Sequence, residues 1–249
     1  MNIILVDSTE IAGKVLRLTD IRAEHIVKVL KSDVGETVRV GLINGGKGTG
    51  TITSMGKKRP FSVELELNIS NCSTEIPPLD LILALPRPIM LKRILTQVTA
   101  LGVGTIHLIH ANRVEKSFWN AGVLNENEYR VHLLHGLEQA VDTRIPEVHI
   151  HRKFKPFIED YFPDQVQKYG ACVLAHPSGK TRLSDVVQGG QGRIALAIGP
   201  EGGWVDYEVE QFKKKGFSSC TIGERILKVD TAVIALHSRI SALLEVTLK

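Results

Sequence analysis

Two loops near the C-terminus combine residue types that could bind a small molecule and act on it. The first, at 199–203, reads GPEGG and follows the apolar segment 194–198. Glycine lets the backbone approach a ligand closely and adopt positive φ, and exposed N–H groups can bind polar ligand atoms. Because a plain turn would not need four Gly or Pro residues among five, this loop predicts a ligand site.

The second loop, at 222–232, reads IGERILKVDTA and places Arg225, Lys228 and Asp230 ahead of a long predicted helix. An alternative interpretation is a helix start capped by Asp230 or Thr231, with solvated charges around it. A glycine-rich loop and a loop that mixes cations with apolar residues could together enclose a molecule with apolar and polar parts. This composition suits an adenosyl group better than a triphosphate.

Two further glycine patterns are less specific. The segment GLINGGKG at 41–48 nearly matches a P-loop, but Gly48 stands where Ser or Thr would hold magnesium, and no helix follows. We therefore predict a hairpin turn, whose Lys47 could contact nucleic acid. A dinucleotide-binding fold needs GxGxxG with an acid about 20 residues later. Glu224 has a suitable position for that acid, but the glycine spacing is wrong.

One helix face carries metal-ligand residue types. His132, His135 and Glu138 share this face of a predicted helix, a spacing that metal sites in helix bundles use. The chain has no HExxH motif and no second set of ligands at comparable spacing. We therefore expect histidines that are satisfied by their neighbours, and no bound metal.

The composition is typical of a globular protein. Of 249 residues, 43% are hydrophobic and 23% are charged, which excludes bulk disorder. The longest strongly apolar stretch, 79–85, is far shorter than the ~20 residues of a membrane span, and no signal peptide is expected at the N-terminus. Cys72, Cys172 and Cys220 form no CxxC pair, so we expect a reducing cytoplasmic location. A net charge of +4 is compatible with a polyanionic partner but does not require one.

The predicted elements divide the chain in two. Residues 1–70 contain one short predicted helix after Asp20 and short strands at 34–43, 50–54 and 62–69. Short strands at this spacing suggest a small β-barrel or sandwich. The polar, proline-rich segment 70–78 then predicts a boundary between domains of residues 1–72 and 73–249.

The second domain alternates strands and helices. Apolar strands are predicted at 80–85, 105–109, 171–175, 193–198 and 219–222. Helices are predicted at 89–101, 126–141, 206–215 and 231–247. This alternation favours an α/β fold with a parallel sheet covered on both faces. In such folds functional residues gather at the carboxyl ends of the strands, where both candidate loops lie.

Both loops belong to longer segments with a known likeness. IGPEGGWVDYEVEQF at 198–212 and IGERILKVDTAVIAL at 222–236 resemble the paired signatures of the RsmE family of SPOUT methyltransferases. This family methylates N3 of a uridine in small-subunit (16S) ribosomal RNA. Residues 23–50 are similar to its N-terminal PUA-like β-barrel, and residues 81–103 and 136–148 resemble its linking strand and helices.

The resemblance implies S-adenosylmethionine as the methyl donor, a C-terminal trefoil knot, a homodimer, and ribosomal RNA or the assembled small subunit as substrate. It also implies that the PUA-like domain helps to hold the RNA. Carried over residue by residue, it implies cofactor contacts from the ends of two strands and, with His176, from a third loop. These contacts are Ile198, Gly199, Pro200, Gly203, Ile222, Gly223, Ile226 and Leu227.

Methylation of a uridine at N3 requires that the N3 proton leave. A carboxylate could accept this proton, and a cation could stabilise the resulting ring anion. Glu201 and Asp230 are the candidate bases, and Arg225 and Lys228 are the candidate anion stabilisers. The chain departs from the family pattern at Ala100, where an acid is usual, and at Lys228 and Asp230, where Arg and Glu are usual. These departures bear on the target nucleotide more than on the fold or the cofactor.

The candidate RNA contacts are basic residues in both domains. The uridine must be unpaired or flipped out, since N3 lies on its Watson–Crick edge. Cations fix the position of the RNA without reading its sequence, so RNA affinity is expected to fall steeply as salt rises. The candidates are Lys28, Lys31, Lys47, Arg87, Lys92, Arg93, Arg113 and Lys116.

Three other functions remain open at this point. The first is a SPOUT methyltransferase that acts on transfer RNA or large-subunit ribosomal RNA. The second is a nucleotide-binding oxidoreductase, based on the loop at Gly199 and on Glu224. The third is a non-catalytic RNA-binding assembly factor.

Overall fold

The structure, a computed structural model, describes residues 1–70, 75–187 and 192–247. The chain forms two compact units, one of Met1–Glu75 with Leu133–Ile145 and one of Ile76–His132 with Pro146–Lys249. The grouping of Leu133–Ile145 with the N-terminal residues was not predicted from the sequence. The predicted boundary between residues 72 and 73, together with Cys72, lies outside the described residues.

The described strands of the N-terminal unit form one sheet. They are β1 (Ile4–Val6), β2 (Ile11–Ala12), β3 (Val15–Leu18), β4 (Thr37–Leu42), β5 (Lys47–Gly56) and β6 (Ser62–Ile69). Their order is β1-β4-β5-β6-β3-β2; only β1 and β4 pair in parallel, and the other pairs are antiparallel. Every second side chain of β4 and β6, such as Val38, Val40 and Leu65, is buried in the core, as the period of a half-buried strand requires. Strands β1, β2 and β3, each of which has four residues or fewer, were not predicted from the sequence.

The near P-loop is a hairpin turn, as predicted. Leu42 N donates to Gly46 O at 2.9 Å and Gly45 N donates to Leu42 O at 2.7 Å, which closes the turn between β4 and β5. A Cβ on Gly48 would lie 2.0 Å from the carbonyl oxygen of Asn68, so this glycine permits the close pairing of β5 with β6. Its role is structural.

A short helix covers the core of the N-terminal unit. Helix α1 (Ile21–His25) begins after Asp20, whose Oδ1 accepts from Arg22 N at 2.9 Å, as an N-cap residue does. The chain continues as a π-helical turn over Ile26–Leu30. The predicted helix after Asp20 is therefore confirmed.

The described strands of the second unit form a parallel sheet, as predicted. They are β7 (Leu79–Ala84), β8 (Thr105–Ile109), β9 (Glu147–His151), β10 (Tyr169–Ala175), β11 (Arg193–Ile198) and β12 (Ser218–Cys220). Their order is β12-β10-β11-β7-β8-β9, with every pair parallel. The described α-helices from Pro88 onward are α2 (Pro88–Leu101), α3 (Glu126–Ala140), α4 (Leu183–Val187), α5 (Asp206–Lys214) and α6 (Val229–Thr247). None of the described helices combines the length and the apolar character that crossing a membrane requires.

A buried ion pair joins three strands near their amino ends. Asp80 on β7 is 4% exposed and accepts from the Arg193 guanidinium, with Nε at 3.1 Å. The Tyr169 hydroxyl of β10 donates to the same carboxylate at 3.0 Å. Burial and the charge of Asp80 raise the pKa of Tyr169, so its hydroxyl keeps the proton that it donates.

We expect Asp80→Ala to lower the free energy of unfolding by about 3 kcal/mol, because it leaves Arg193 and Tyr169 without their partner. Arg193 is a quarter exposed, which places the loss at the lower end of the range for broken buried pairs. Urea denaturation measures it. Arg17→Ala, which breaks the exposed pair with Glu64, should change the same quantity by less than about 1 kcal/mol. Equal effects of the two variants would contradict this account.

Three histidines pack together at the β8–β9 edge. His107 Nδ1 lies 3.2 Å from His151 Nε2, and the His107 ring stacks on His149 at 5.2 Å between centroids. Burial lowers the pKa of His107 to about 3 and that of His151 to about 4. Both rings are therefore neutral in the folded protein near neutral pH.

The unfolded chain binds more protons than the folded one between the folded pKa of His107 and the ordinary histidine value near 6.5. Stability is therefore fully present above that ordinary value and falls as the pH drops below it. We expect His107 alone to lower the free energy of unfolding by about 2 kcal/mol between pH 7 and pH 5. Urea denaturation at the two pH values measures this, and His107→Phe should show a smaller drop. An equal drop in both proteins would contradict the assignment.

Candidate active site

The glycine-rich loop leaves the carboxyl end of β11 as a tight turn. Gly203 N donates to Pro200 O at 2.8 Å, and Gly203 has a φ of +73°, a value that favours glycine. A Cβ on Gly199 would lie 3.2 Å from the Trp204 indole, so the absence of a side chain there lets the loop lie directly on this buried ring. The backbone of the loop thus packs on the buried Trp204 ring on one side.

Two neighbouring loops hold this turn in place. The Glu201 carboxylate accepts from Arg87 N, which follows β7, at 3.1 Å. The Arg113 guanidinium, which follows β8, donates to the carbonyl of Gly202. Because β11, β7 and β8 are consecutive in the sheet, three strand ends converge on the loop.

The buried Glu208 side chain hydrogen-bonds both the loop after β8 and the glycine-rich loop. This side chain is 2% exposed, and it accepts from Asn112 N at 2.7 Å and from Val205 N at 3.0 Å. A buried carboxylate is stable there because both oxygens receive backbone N–H groups. Glu208 was not predicted as a site residue; the signal that the sequence offers is an acidic residue in the first turn of a helix.

The second loop, after β12, surrounds a cavity of about 440 Å³. Arg239 of α6 donates to Ile222 O at 3.0 Å, and Thr221 Oγ1 donates to Gly223 O at 2.9 Å. These two hydrogen bonds hold the backbone of the loop in its conformation. Gly223 has a φ of +145°, so a side chain would strain this position. The cavity is lined by Ile222, Gly223, Glu224, Arg225, Leu227, Ala235 and Arg239.

A third loop lies between the first two. Strand β10 separates β11 from β12, so the loop that begins at His176 follows the middle strand of the three. His176 N donates to Cys220 O at 3.0 Å, and His176 Nδ1 lies 2.8 Å from Ser178 Oγ. His176 therefore links its own loop to the end of β12.

The structure brings some of the predicted site residues together and separates others. Of the predicted cofactor contacts, Ile222, Gly223 and Leu227 line the cavity, and so does Arg225. Ile198, Gly199, Pro200 and Gly203 lie at the end of β11, two strands away from β12. Ile226 is 85% exposed and is not among the residues that line the cavity.

The two candidate bases have different surroundings. Glu201 is exposed within the glycine-rich loop, and one of its oxygens accepts from Arg87 N. Asp230 lies in the first turn of α6, where its Oδ1 accepts from Thr231 N at 2.9 Å. Asp230 and Thr231 lie inside α6, which begins at Val229, so neither is the capping residue before the helix that the alternative interpretation of this loop expected. Lys228 is exposed.

The predicted RNA contacts differ in how their charges are paired. Lys28 forms an ion pair with Glu24 at 2.6 Å, and Lys47 forms one with Asp142 at 2.8 Å. Lys31 is exposed. Among the residues that the structure describes, no carboxylate lies within 4.0 Å of the other predicted cations. These are Arg87, Lys92, Arg93, Arg113 and Lys116.

The described residues offer no arrangement of side chains that fits a metal ion. No group of three or more His, Cys, Asp or Glu residues among them is arranged to hold one. Burial raises the pKa of Cys172 to about 12 and that of Cys220 to about 11, so both remain protonated thiols.

The chain matches two protein families. Residues 74–241 match the RNA methyltransferase domain family, and residues 18–65 match the RNA methyltransferase PUA domain family. The chain is 32% identical over 240 residues to ribosomal RNA small subunit methyltransferase E of Treponema pallidum, covering 94% of this chain and 88% of that one. It is 26% identical to ribosomal RNA small subunit methyltransferase E 1 of Borreliella burgdorferi, with 94% and 95% covered.

Solved structures share the whole fold. A ribosomal RNA small subunit methyltransferase E from Neisseria gonorrhoeae, bound to S-adenosyl methionine, superposes with a TM-score of 0.77 at 21% identity over 98% of both chains. A putative methyltransferase from Legionella pneumophila, also in complex with this cofactor, gives a TM-score of 0.78 at 21% identity over 97% of both chains. The architecture is thus an α/β fold with a parallel sheet and an N-terminal PUA-like domain, and the chain belongs to the ribosomal RNA small subunit methyltransferase E family of RNA methyltransferases.

Proposed function

We propose that this protein transfers a methyl group from S-adenosylmethionine to N3 of a uridine in small-subunit ribosomal RNA. The observation that carries the proposal is the cavity of the second loop, at the carboxyl edge of a parallel sheet in a chain of this family. Family membership favours methyl transfer over the oxidoreductase interpretation, and the chain lacks the glycine spacing that a dinucleotide would need.

The residues of the cavity fit the proposed cofactor. A volume of about 440 Å³ lies within the ordinary range for small-molecule sites. Ile222, Leu227 and Ala235 supply apolar surface, whereas Glu224, Arg225 and Arg239 supply charge. This mixture matches a molecule with both apolar and polar parts.

The bound cofactor supplies an electrophilic methyl group on a sulfonium. The protein must hold the uridine in line with it, and such alignment can contribute roughly 7–11 kcal/mol. We assign the base that accepts the N3 proton to Glu201, because it is exposed in the loop and held by Arg87 N, whereas Asp230 is engaged at the start of α6. We assign stabilisation of the anionic ring to Arg225, which lines the cavity and has no carboxylate partner among the described residues.

The same proposal includes several predictions about the whole protein. They are the division of the chain after residue 72, the C-terminal knot, the homodimer and the cytoplasmic location.

The relatives from Treponema and Borreliella are named for the small-subunit RNA, which supports that substrate over transfer RNA.

Methyl transfer to different RNAs tests the proposal. Purified protein and labelled S-adenosylmethionine are incubated with small subunits, free small-subunit RNA, large subunits and transfer RNA, each from cells that lack the corresponding methylation. We expect label in small-subunit RNA only. Label in transfer RNA or in large-subunit RNA would overturn the proposed substrate. Cofactor binding without transfer to any RNA would favour a non-catalytic assembly factor.

A further inference from the structure

The segment after β9 carries a group of cations that the sequence analysis did not single out. Arg152, Lys153 and Lys155 follow the strand directly, and all three are exposed. Phe154 between them is buried and packs edge-on against Phe212, with 5.6 Å between ring centroids. This anchor fixes the backbone, so the charged side chains on either side of it remain at the surface.

The sheet topology places this group on the same edge as the candidate active site. Strands β11, β7, β8 and β9 are consecutive and parallel, so their carboxyl ends lie along one edge. From the glycine-rich loop outward, this edge carries Arg87 after β7, Arg113 after β8, and then the group after β9. The spacing between neighbouring strands is about 5 Å, which places cations at successive positions along the edge.

The cations of this edge form no ion pair with any residue that the structure describes. Among the described residues, no carboxylate lies within 4.0 Å of Arg152, Lys153 or Lys155. In the described part of the N-terminal unit, by contrast, many cations form ion pairs, among them Arg17, Arg22, Lys28, Lys47, Lys57 and Arg59. Unpaired cations in a row keep their field available for a polyanion.

Aromatic rings lie among these cations. Lys155 Nζ lies 5.7 Å from the centre of the Tyr207 ring, and Tyr207 is 44% exposed. The Arg152 guanidinium lies 5.5 Å from the centre of the Trp119 ring and donates to Trp119 O at 3.3 Å. Proteins that bind single-stranded nucleic acid combine a cationic path for the phosphates with aromatic faces for the bases.

We propose that the single-stranded RNA beside the target uridine binds across the ends of β8 and β9, on a surface formed by Arg113, Arg152, Lys153, Lys155 and Tyr207. We call this surface the β9 tract. Lys153 and Lys155 bind phosphates, and the exposed face of Tyr207 stacks with a base. The proposal rests on the proposed function, because it takes the RNA substrate from it and extends the site along the sheet.

The double variant Lys153→Gln/Lys155→Gln tests the tract. We expect its affinity for a labelled single-stranded oligouridine to fall by about tenfold or more, measured by fluorescence anisotropy. The slope of log affinity against log salt should become shallower by about 1.4, since each lost phosphate contact on a single strand contributes about 0.7. With small subunits as substrate, KM should rise while kcat and cofactor affinity stay within about twofold.

The matched control is Lys213→Gln/Lys214→Gln, which removes the same charge. These lysines are exposed in the last turn of α5, which starts at the carboxyl edge after β11 and runs back toward the opposite edge. This control should leave RNA affinity and the salt slope unchanged. A second test that keeps all charges is Tyr207→Leu, which should weaken oligouridine binding by about fivefold or more, whereas Tyr207→Phe should not.

Three outcomes would overturn the proposed RNA-binding role of the β9 tract. The first is wild-type affinity for oligouridine in Lys153→Gln/Lys155→Gln, and the second is an equal loss of this affinity in that variant and in the Lys213→Gln/Lys214→Gln control. The third is a loss of affinity for duplex RNA without a loss for oligouridine. The readouts also separate the two proposals. If wild-type protein transfers no methyl group, the proposed function fails. Oligouridine binding by the same variants still tests the tract, because that measurement does not require turnover.

Discussion

Arg225→Ala is expected to lower kcat for methyl transfer by about 10²–10³-fold, the effect of removing one group that stabilises a developing anion. Arg225 lines the cavity of the second loop, and no carboxylate among the described residues neutralises it. As the N3 proton leaves, negative charge develops on the uracil ring, and a nearby guanidinium lowers the energy of that state more than that of the neutral ring. Single-turnover kinetics with saturating cofactor and small subunits measure the effect.

Two further variants test whether the effect is specific to the Arg225 guanidinium. Arg225→Lys keeps the charge but loses the planar fork of the guanidinium, so its kcat should lie between those of the wild type and the alanine variant. Glu224→Ala changes the neighbouring cavity residue, so it should weaken cofactor binding, but kcat at saturating cofactor should stay within about twofold of the wild type. A wild-type kcat in Arg225→Ala would show that Arg225 does not stabilise the anionic ring. A loss of kcat in Glu224→Ala as large as that in Arg225→Ala would indicate that the loop loses its structure in both variants.

Glu201→Gln is expected to lower kcat by about 10²–10⁴-fold, the contribution of one positioned general base. The amide keeps an oxygen that can accept from Arg87 N, so the loop can retain its shape while the proton acceptor is lost. Cofactor affinity, measured by calorimetry, should therefore stay within about twofold of the wild type. The loss should appear in kcat and not in binding.

Asp230→Asn provides the contrast, because the two carboxylates compete for the same role. Asp230 accepts from Thr231 N in the first turn of α6, and asparagine can make the same bond. We therefore expect kcat within about twofold of the wild type and a loss of unfolding free energy of no more than about 1 kcal/mol. The reverse pattern, with Asp230→Asn inactive and Glu201→Gln active, would transfer the base to Asp230.

The parallel sheet and the two loops could be predicted because their signals are local. Strands such as β7 and β11 are apolar apart from one charged residue each, Asp80 and Arg193, and glycine marks the turn that follows β11. Strand β9 could not be predicted in this way, since it reads EVHIH, is only half buried and lies at the edge of the sheet. Its pairing with β8 depends on residues about 40 positions earlier in the chain, which a short sequence window does not contain.

The candidate site shows the same limit. The glycines and cations of both loops are visible in the sequence, but strand order decides that β10, with His176, lies between them. The hydrogen bond by which Glu208 joins the two loops comes from Asn112 N, which lies 96 positions away in the chain. The pairing of some cations is likewise non-local: Lys47 pairs with Asp142, whereas no carboxylate among the described residues lies within 4.0 Å of Arg113. Residue types could therefore be predicted, but their partners could not.

The identity of the methylated nucleoside tests the central claim most directly. Small subunits that lack the modification are incubated with the protein and labelled S-adenosylmethionine, and the RNA is digested and analysed by mass spectrometry. The account predicts label in N3-methyluridine at one position of the small-subunit RNA, with a strong reduction in Arg225→Ala and Glu201→Gln. Label on another atom, on another base or in another RNA would contradict it.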